Sequence, residues 1–419
     1  VPLDGSSVVG SDVSVPKYGF SGKFGFSGSS HGYANAVTAS EQLVIAAITA
    51  VNSLFFSIMN FPLQVVIFMK KVLMAASESS HFKNFHIPYI QRLLDGGVEV
   101  HTASNGDFSL DGVVHTRLGF RKRLLSPANI AVIFRLAKLI RRERYDAVYT
   151  NSTLAGFAGR MAVILSGSKR TECRHICHGY LFDDDGSARS RVYLMFEKLV
   201  RGHTSLLAVM NADDLRIAEK YRLGGKIIFI DGMGLDTEKF PPLPAEEISR
   251  QRARFGAENT LFLCVGEFSP RKNQSAVLRA FARLERTDCR LIFAGGGALI
   301  EECRTLAETL GIAGRTFFLG HCSDMNVLYR ACDCLVSASR FEGLPFNVME
   351  ALYCGETVLL SDVKGNRDLS DRVYPYNDDA ALAGLMETVK PAPRENKLPE
   401  RYLLSRCLEN NADLLRYNL

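Results

Sequence analysis

From Val72 onward, short apolar runs alternate with longer stretches whose apolar positions recur every three to four residues. That alternation predicts parallel strands interleaved with helices. Strands are expected at 72–75, 98–103, 147–150, 171–175 and 206–210, and helices at 86–95, 127–144 and 189–201. A stretch rich in proline and charge, 241–260, interrupts the rhythm and reads as a hinge. The rhythm then resumes, with strands expected at 261–265, 290–294, 316–319, 334–337 and 357–360. The pattern therefore predicts an α/β protein of two Rossmann-like, doubly wound domains, 69–240 and 261–389, facing each other across a cleft. Such domains bind ligands at the carboxyl ends of their strands. The tail 390–419 reads as one amphipathic helix. No period of solenoid length is visible.

Upstream the pattern is different. Residues 1–42 are rich in Gly, Ser and Phe without periodicity, which predicts disorder. Residues 43–69 carry no charge and are long enough for a membrane helix, but Asn52, Asn60, Pro62 and Gln64 interrupt them. No basic segment precedes them, so a signal peptide is not expected. "MKKVLMAAS", starting at Met69, looks like the beginning of a bacterial α/β chain. Three readings of 1–68 stay open: an upstream extension outside the functional protein, which is favoured, then a membrane anchor, then a packed accessory helix.

Composition narrows the function classes. The 419 residues are 47% apolar and 23% charged, the balance of a soluble globular protein, and the net charge of +5 is too mild to suggest nucleic acid. None of the ten cysteines precedes Cys173. The tightest groups, Cys173/Cys177 beside His178 and Cys332/Cys334, lack the spacing of a zinc site, so reduced thiols in a cytoplasmic protein are expected.

Three loops of the second domain follow strands and carry the chemistry. In "VGEFSPRKNQ", Gly266 ends a strand and Arg271 and Lys272 stand ready to meet phosphate charge. In "FAGGGA", Gly295, Gly296 and Gly297 would allow a ligand close to the backbone, although a tight turn explains such a run about as often. In "FEGLPFNVME", Pro345 sits near a helix start whose amides, at Phe346 and Asn347, can receive a diphosphate. Glu342, Gly343, Leu344 and Glu350 surround that start, and acids there are ordinary when taken singly.

Taken together, Gly-x(5)-Lys, a glycine turn and Glu-Gly-x(6)-Glu resemble the donor domain of the retaining family 4 glycosyltransferases of GT-B fold. "DGMGLDTEKF" and "SDVKGNRDL" fall in the same order, and the resemblance covers most of 69–389. It is strongest to bacterial capsule and exopolysaccharide transferases, through "SSHFKNFHIPYIQRLLDGGVEVHTAS" and "CHGYLF". The resemblance implies that Glu350 holds the ribose, that Glu342 faces the donor sugar, and that Lys272 neutralises the departing diphosphate. It implies that His178 reaches the sugar or its transferring carbon. It further implies transfer from a nucleotide sugar, a UDP-sugar by preference, to a lipid-linked or saccharide acceptor, with retention and without a metal or other cofactor. The tail would cross back onto the first domain, as it commonly does in this fold.

This chain departs from the family pattern in places. Glu267 stands where many members have an arginine, leaving Arg271 to supply the charge, and His81 and Lys83 occupy a loop where glycines are usual. Glu197 matches an acidic family position, with a structural salt bridge at least as reasonable. Between Arg117 and Arg144, nine Lys or Arg face one Glu, so 117–144 either rests on an anionic membrane at the inner face or is a solvated helix. Asp183 and Asp185 form a D-x-D pair, a metal signal in the other large glycosyltransferase fold, here set in a polar loop. The rival functions are a catalytically silent nucleotide-sugar-binding subunit and a GT-B epimerase.

Overall fold

Every expected strand forms, and three more complete the sheets. The structure, a computed structural model, describes residues 71–121, 126–256 and 258–415. The segment 1–68 and the uncharged run 43–69 lie outside the described residues, which all fall within one compact unit. The first sheet comprises β1 (Lys71–Glu78), β2 (Glu99–Asn105), β3 (Val113–Arg117), β4 (Ala147–Asn151), β5 (Glu172–Cys177), β6 (Leu206–Val209) and β7 (Lys226–Phe229). All pairings are parallel, in the order β3-β2-β1-β4-β5-β6-β7.

The second sheet comprises β8 (Thr260–Val265), β9 (Cys289–Ala294), β10 (Thr316–Phe318), β11 (Cys334–Ser337), β12 (Thr357–Ser361) and β13 (Val373–Tyr374). Its order, β10-β9-β8-β11-β12-β13, is again wholly parallel. Counted from its own first strand, each sheet runs 3-2-1-4-5-6, with a seventh strand added at the end of the first, so each has one point where the winding reverses, between β1 and β4 and between β8 and β11. The three strands that sequence reading missed, β3, β7 and β13, are flank strands. "VVHTR" and "KIIF" are only half covered, so they lack the continuous apolar run of a strand buried on both faces.

The helices of the first domain are α1 (Ser79–Phe85), α2 (Ile87–Asp95), α3 (Pro127–Glu143), α4 (Thr153–Ser166), α5 (Ala188–Val200) and α6 (Ala212–Tyr221). Those of the second are α7 (Ala245–Ala253), α8 (Gln274–Ala282), α9 (Ile300–Thr309), α10 (Met325–Ala331), α11 (Phe346–Tyr353) and α12 (Asp379–Glu387). Three expectations are corrected here. His81 and Lys83 belong to α1 and not to a loop. The expected hinge 241–260 contains α7, which Arg252 docks on the second domain by donating to the Ala331 carbonyl at 2.6 Å and to Asp333 at 2.9 Å.

The third correction concerns the tail, which is not one helix. Glu400–Tyr402 form a single 3-10 turn, Leu403 is extended and pairs with Leu235 as a parallel bridge, and only then do α13 (Leu404–Asn410) and α14 (Ala412–Leu415) follow. These short helices lie on the first domain. Asn411 donates to Tyr89 and to the Gly232 carbonyl, while Tyr149 and Arg174 both donate to the Leu414 carbonyl.

One apolar cluster runs through both domains, joining Met74, Tyr149 and Leu235 to Leu261, Leu344 and Val348. A polar seam reinforces the joint at the start of α6. Lys364 donates to Asp214 at 3.0 Å, Arg367 to Asp213 at 2.8 Å, and the Ala212 amide to Asp368 at 3.0 Å. The first domain also holds a buried ion pair beneath its strand ends, in which Arg160 on α4 grips Glu197 on α5 through two bonds of 2.7 and 2.8 Å. Burial pushes the Glu197 carboxyl up, but Arg160 outweighs it and holds the group below the usual carboxylate range. Glu197→Ala should therefore cost about 3–5 kcal/mol in denaturant unfolding by stranding a buried guanidinium, whereas replacing both partners with leucine or methionine should recover most of that loss.

Candidate active site

The loops at the carboxyl ends of β5 and β11 meet across the cleft at backbone distance. A Cβ on Gly343 would stand 1.9 Å from the His178 carbonyl oxygen, and one on Gly179, at φ +110°, would stand 2.7 Å from the Gly343 Cα. Only glycines permit this approach. Asn211 fixes it by donating to the Gly343 carbonyl at 3.0 Å. Gly343 is thus accounted for by the domain contact. The outcome is a cavity of about 300 Å³ whose wall contains His178 from one domain and Arg271 and Glu342 from the other.

Arg271 and Lys272 converge on one carboxylate. Lys272 Nζ lies 2.7 Å from Glu342 Oε1, and Arg271 Nη1 lies 2.9 Å from both oxygens. Burial raises the Glu342 carboxyl, but Lys272 and Arg271 together overcome it and hold the group ionised. The Arg340 amide donates to the Arg271 carbonyl at 2.8 Å and ties the two loops together. Glu342, read from sequence as facing a sugar, turns both oxygens to these cations, so it holds the positive pair at the mouth of the second domain.

A larger cavity, about 750 Å³, is shared by both domains, with Lys83, Phe85 and Lys239 facing Phe346 and Glu350. Glu350 accepts from Tyr329 at 2.7 Å, and burial raises its carboxyl further than Tyr329 and Lys239 lower it. Pro345 caps α11 without a side-chain bond. The first helical donors are Val348 and Met349, both onto Pro345, so the amides of Phe346 and Asn347 lie ahead of the ladder. Phe346 packs on Phe85 with ring centroids 4.8 Å apart, Asn347 donates to the Val265 carbonyl, and Leu344 is buried in the shared core.

A third hollow, about 370 Å³, is bounded by Gly266 and Gly296 with Met325. The glycine run divides by role. A Cβ on Gly295 would meet the Gly266 carbonyl at 2.1 Å and one on Gly297 the Phe268 backbone at 2.5 Å, whereas Gly296 faces open space. Two of the three glycines therefore serve loop packing, and Gly296 is the one with room for a ligand. Gly266 is itself shaped by packing, since a Cβ there would press on the Lys272 side chain at 3.1 Å.

His178 sits among other rings. Its Nε2 is 3.2 Å from Nε2 of His81, and burial, assisted by His81, His86 and His175, holds its pKa well below the usual imidazole value. Burial also lowers His81 to about 4 and His175 to about 3. These rings are neutral at pH 7 and can exchange a proton or a lone pair, but not a fixed charge. The D-x-D pair does not converge on the cleft. Asp185 accepts from the Ser187 amide, and Asp183 lies 3.4 Å from Lys364.

Several residues at the site had not been read from sequence. Ser77 and Ser152 share a hydrogen bond of 2.7 Å where the first sheet reverses its winding, and Ser152 has φ +66°. Lys239 was legible in "DTEKF" as a cation on a motif, and Tyr329 only through helical spacing that gave no hint of its bond to Glu350. His86 carried no signal beyond its place at the end of "SSHFKNFH".

Comparison with known proteins identifies the family and the fold. The family description "Glycosyl transferases group 1" matches residues 245–389, and "Glycosyl transferase 4-like domain" matches 91–224. The chain is 31% identical over 365 residues, 82% of this chain and 96% of the other, to EpsD of Bacillus subtilis (strain 168), a protein named as a glycosyltransferase. It is 28% identical over 245 residues, 56% of this chain and 62% of the other, to the Escherichia coli UDP-Gal:alpha-D-GlcNAc-diphosphoundecaprenol alpha-1,3-galactosyltransferase. The fold is similar to that of Anabaena HepE, solved in complex with UDP and glucose. That likeness has a TM-score of 0.67 at 18% identity and covers 83% of this chain and 99% of the other.

Two measurements check this geometry. Gly343→Ala should cost about 1–3 kcal/mol by overpacking and should widen the molecule in small-angle scattering, since the new methyl has no space between the loops. Buried neutral histidines also set an acid limit. Unfolded rings protonate near pH 6.5, while folded His81 and His175 resist down to about 4 and about 3. Stability is then complete above about pH 6.5 and should fall steadily in urea titrations as pH is lowered from there toward 4.

Proposed function

The chain belongs to the group 1 glycosyltransferases, family 4 of GT-B fold, and we propose that it moves a hexosyl or N-acetylhexosaminyl group from a UDP-sugar to a lipid-linked acceptor with retention of anomeric configuration. The observation that carries this reading is the gathering of Arg271 and Glu342 from one domain against His178 from the other in a single cavity, with Lys272 bonded to the same Glu342 carboxylate. Two cations held at a strand end by a buried carboxylate are placed to receive a diphosphate, and the amides before Val348 add the partial positive charge of a helix start. On donor arrival the phosphates compete with Glu342 for Lys272 and Arg271, which frees part of the carboxylate toward the sugar. Glu350, beside the larger cavity, is assigned to the ribose hydroxyls.

In the proposed transfer, charge building on the leaving diphosphate is neutralised by Lys272, Arg271 and the α11 amides, so no divalent cation takes part in the step. No side chain is assigned as a covalent nucleophile. The acceptor hydroxyl attacks on the face that the diphosphate leaves and passes its proton to a departing phosphate oxygen. His178, neutral, donates or accepts a hydrogen bond at the sugar. The choice of UDP and of a diphospholipid acceptor is supported by the relatives: HepE was solved with UDP, and the name of the E. coli relative specifies UDP-Gal and a diphosphoundecaprenol acceptor. A place in exopolysaccharide or lipopolysaccharide assembly follows from that acceptor class.

Such an acceptor requires contact with a bilayer. On α3, Ile130 and Phe134 are 55% and 61% exposed one helical turn apart, and Arg135, Lys138, Arg141 and Arg142 flank them. An apolar pair within a basic helix face suits the surface of an anionic membrane on the cytoplasmic side. Among the described residues, no helix is long and apolar enough to cross a membrane.

Three tests follow. Incubation with UDP-, GDP- and dTDP-sugars should give thermal stabilisation and nucleotide release with a UDP-sugar, and product NMR should show the donor's anomeric configuration; inversion, or no response to any donor, would reject the reading. Lys272→Ala should lower kcat by about 10²–10³-fold, and Glu350→Ala should chiefly raise the donor KM. Phe134→Asp should reduce sedimentation with phosphatidylglycerol vesicles while leaving transfer to a soluble acceptor analogue intact.

A further inference from the structure

Behind the cavity, His81, His86 and His178 form a group that the transfer mechanism does not use as a group. One nitrogen from each ring lies within 4.8 Å of the other two, and among the described residues this is the one cluster of His, Cys, Asp or Glu with a metal-ligand arrangement. His86 is fully buried at the joint between α1 and α2, and neither of its ring nitrogens has a hydrogen-bond partner. An imidazole buried with two idle polar atoms beside two other imidazoles is a group waiting for a ligand. Its neighbours are apolar on the remaining sides, where Phe82 and Phe85 pack against the rings.

We propose that His81, His86 and His178 bind one zinc-class transition-metal ion, and that its binding inhibits transfer by taking His178 out of the cleft chemistry. The donor set suits such an ion, because imidazole nitrogens select zinc and its neighbours in the first transition series over magnesium or calcium. A tetrahedral zinc site places nitrogens about 3.3 Å apart, given Zn–N bonds of about 2.0–2.1 Å. His81 and His178 already meet this at 3.2 Å, and a small inward rotation of His86 completes the set. Three protein ligands leave a fourth position for water or for a donor oxygen in the cleft. The proposal rests on the reading of His178 as a residue of the transfer site, but the binding itself does not.

Isothermal titration of the chelator-treated full chain with zinc should show one equivalent bound at micromolar concentration or tighter. Cobalt in its place should give the visible bands of a tetrahedral nitrogen and oxygen site, without the thiolate charge-transfer absorption that any of the ten cysteines would add. His86→Phe fills the same apolar space and should weaken binding by more than about tenfold, the least expected for loss of a direct ligand. The same variant should lose zinc inhibition while keeping its transfer rate in EDTA, and His81→Gln should likewise lose the bound ion. Absence of zinc binding to the unmodified protein, a thiolate signature, or equal binding to His86→Phe would overturn the proposal. If zinc binds as expected but the protein transfers no sugar, the functional reading fails and the metal site stands.

Discussion

The site depends on a steric permission. Two backbones from different domains come within a few ångströms of each other at Gly179 and Gly343, and any side chain at either position would part them. Because they touch, His178 shares one cavity with Arg271 and Glu342, and Lys272 joins the group through its bond to Glu342. The polar seam at Lys364 and Asp214 and the shared apolar cluster around Leu344 hold the same approach from either side. The chemistry assigned to the cleft follows from that distance, since charges and neutral rings act on a common ligand only when both lie within hydrogen-bond reach.

Within that frame, Glu342 does two jobs that pull against each other. A buried carboxylate is costly unless it is paired, and two cations brought together are costly unless something negative lies between them. Each side therefore supplies what the other lacks, and in the proposed transfer a diphosphate replaces the carboxylate as the partner of both cations. The protein thus presents a preorganised positive pair without leaving it exposed.

How much of this could be read from the sequence depended on the kind of signal. The inner strands were recoverable because parallel strands buried on both faces leave uninterrupted apolar runs, as in "VLMAA" and "LFLCV". Flank strands such as Val113–Arg117 leave none, since half of each faces solvent. Lys272, Glu342 and Glu350 were legible because they recur at fixed spacing after strand ends. The meaning of Gly343 was not, because the atoms it must avoid belong to His178, far away in the chain. The hinge and tail were misread for a related reason. Arg252 and Leu403 spend their backbone or side-chain bonds on distant partners, Asp333 and Leu235, and local composition does not register such partners.

The tail's attachment bears on how the protein is made. Arg174 and Tyr149, both buried in the first domain, donate to the Leu414 carbonyl, which is translated some 240 residues after Arg174. A ribosome adding roughly 5–20 residues per second leaves the first sheet without that acceptor for many seconds. The first domain can collapse early, but these buried bonds close only after the second domain has been made. Completion of the amino-terminal core therefore waits on synthesis of the entire second domain.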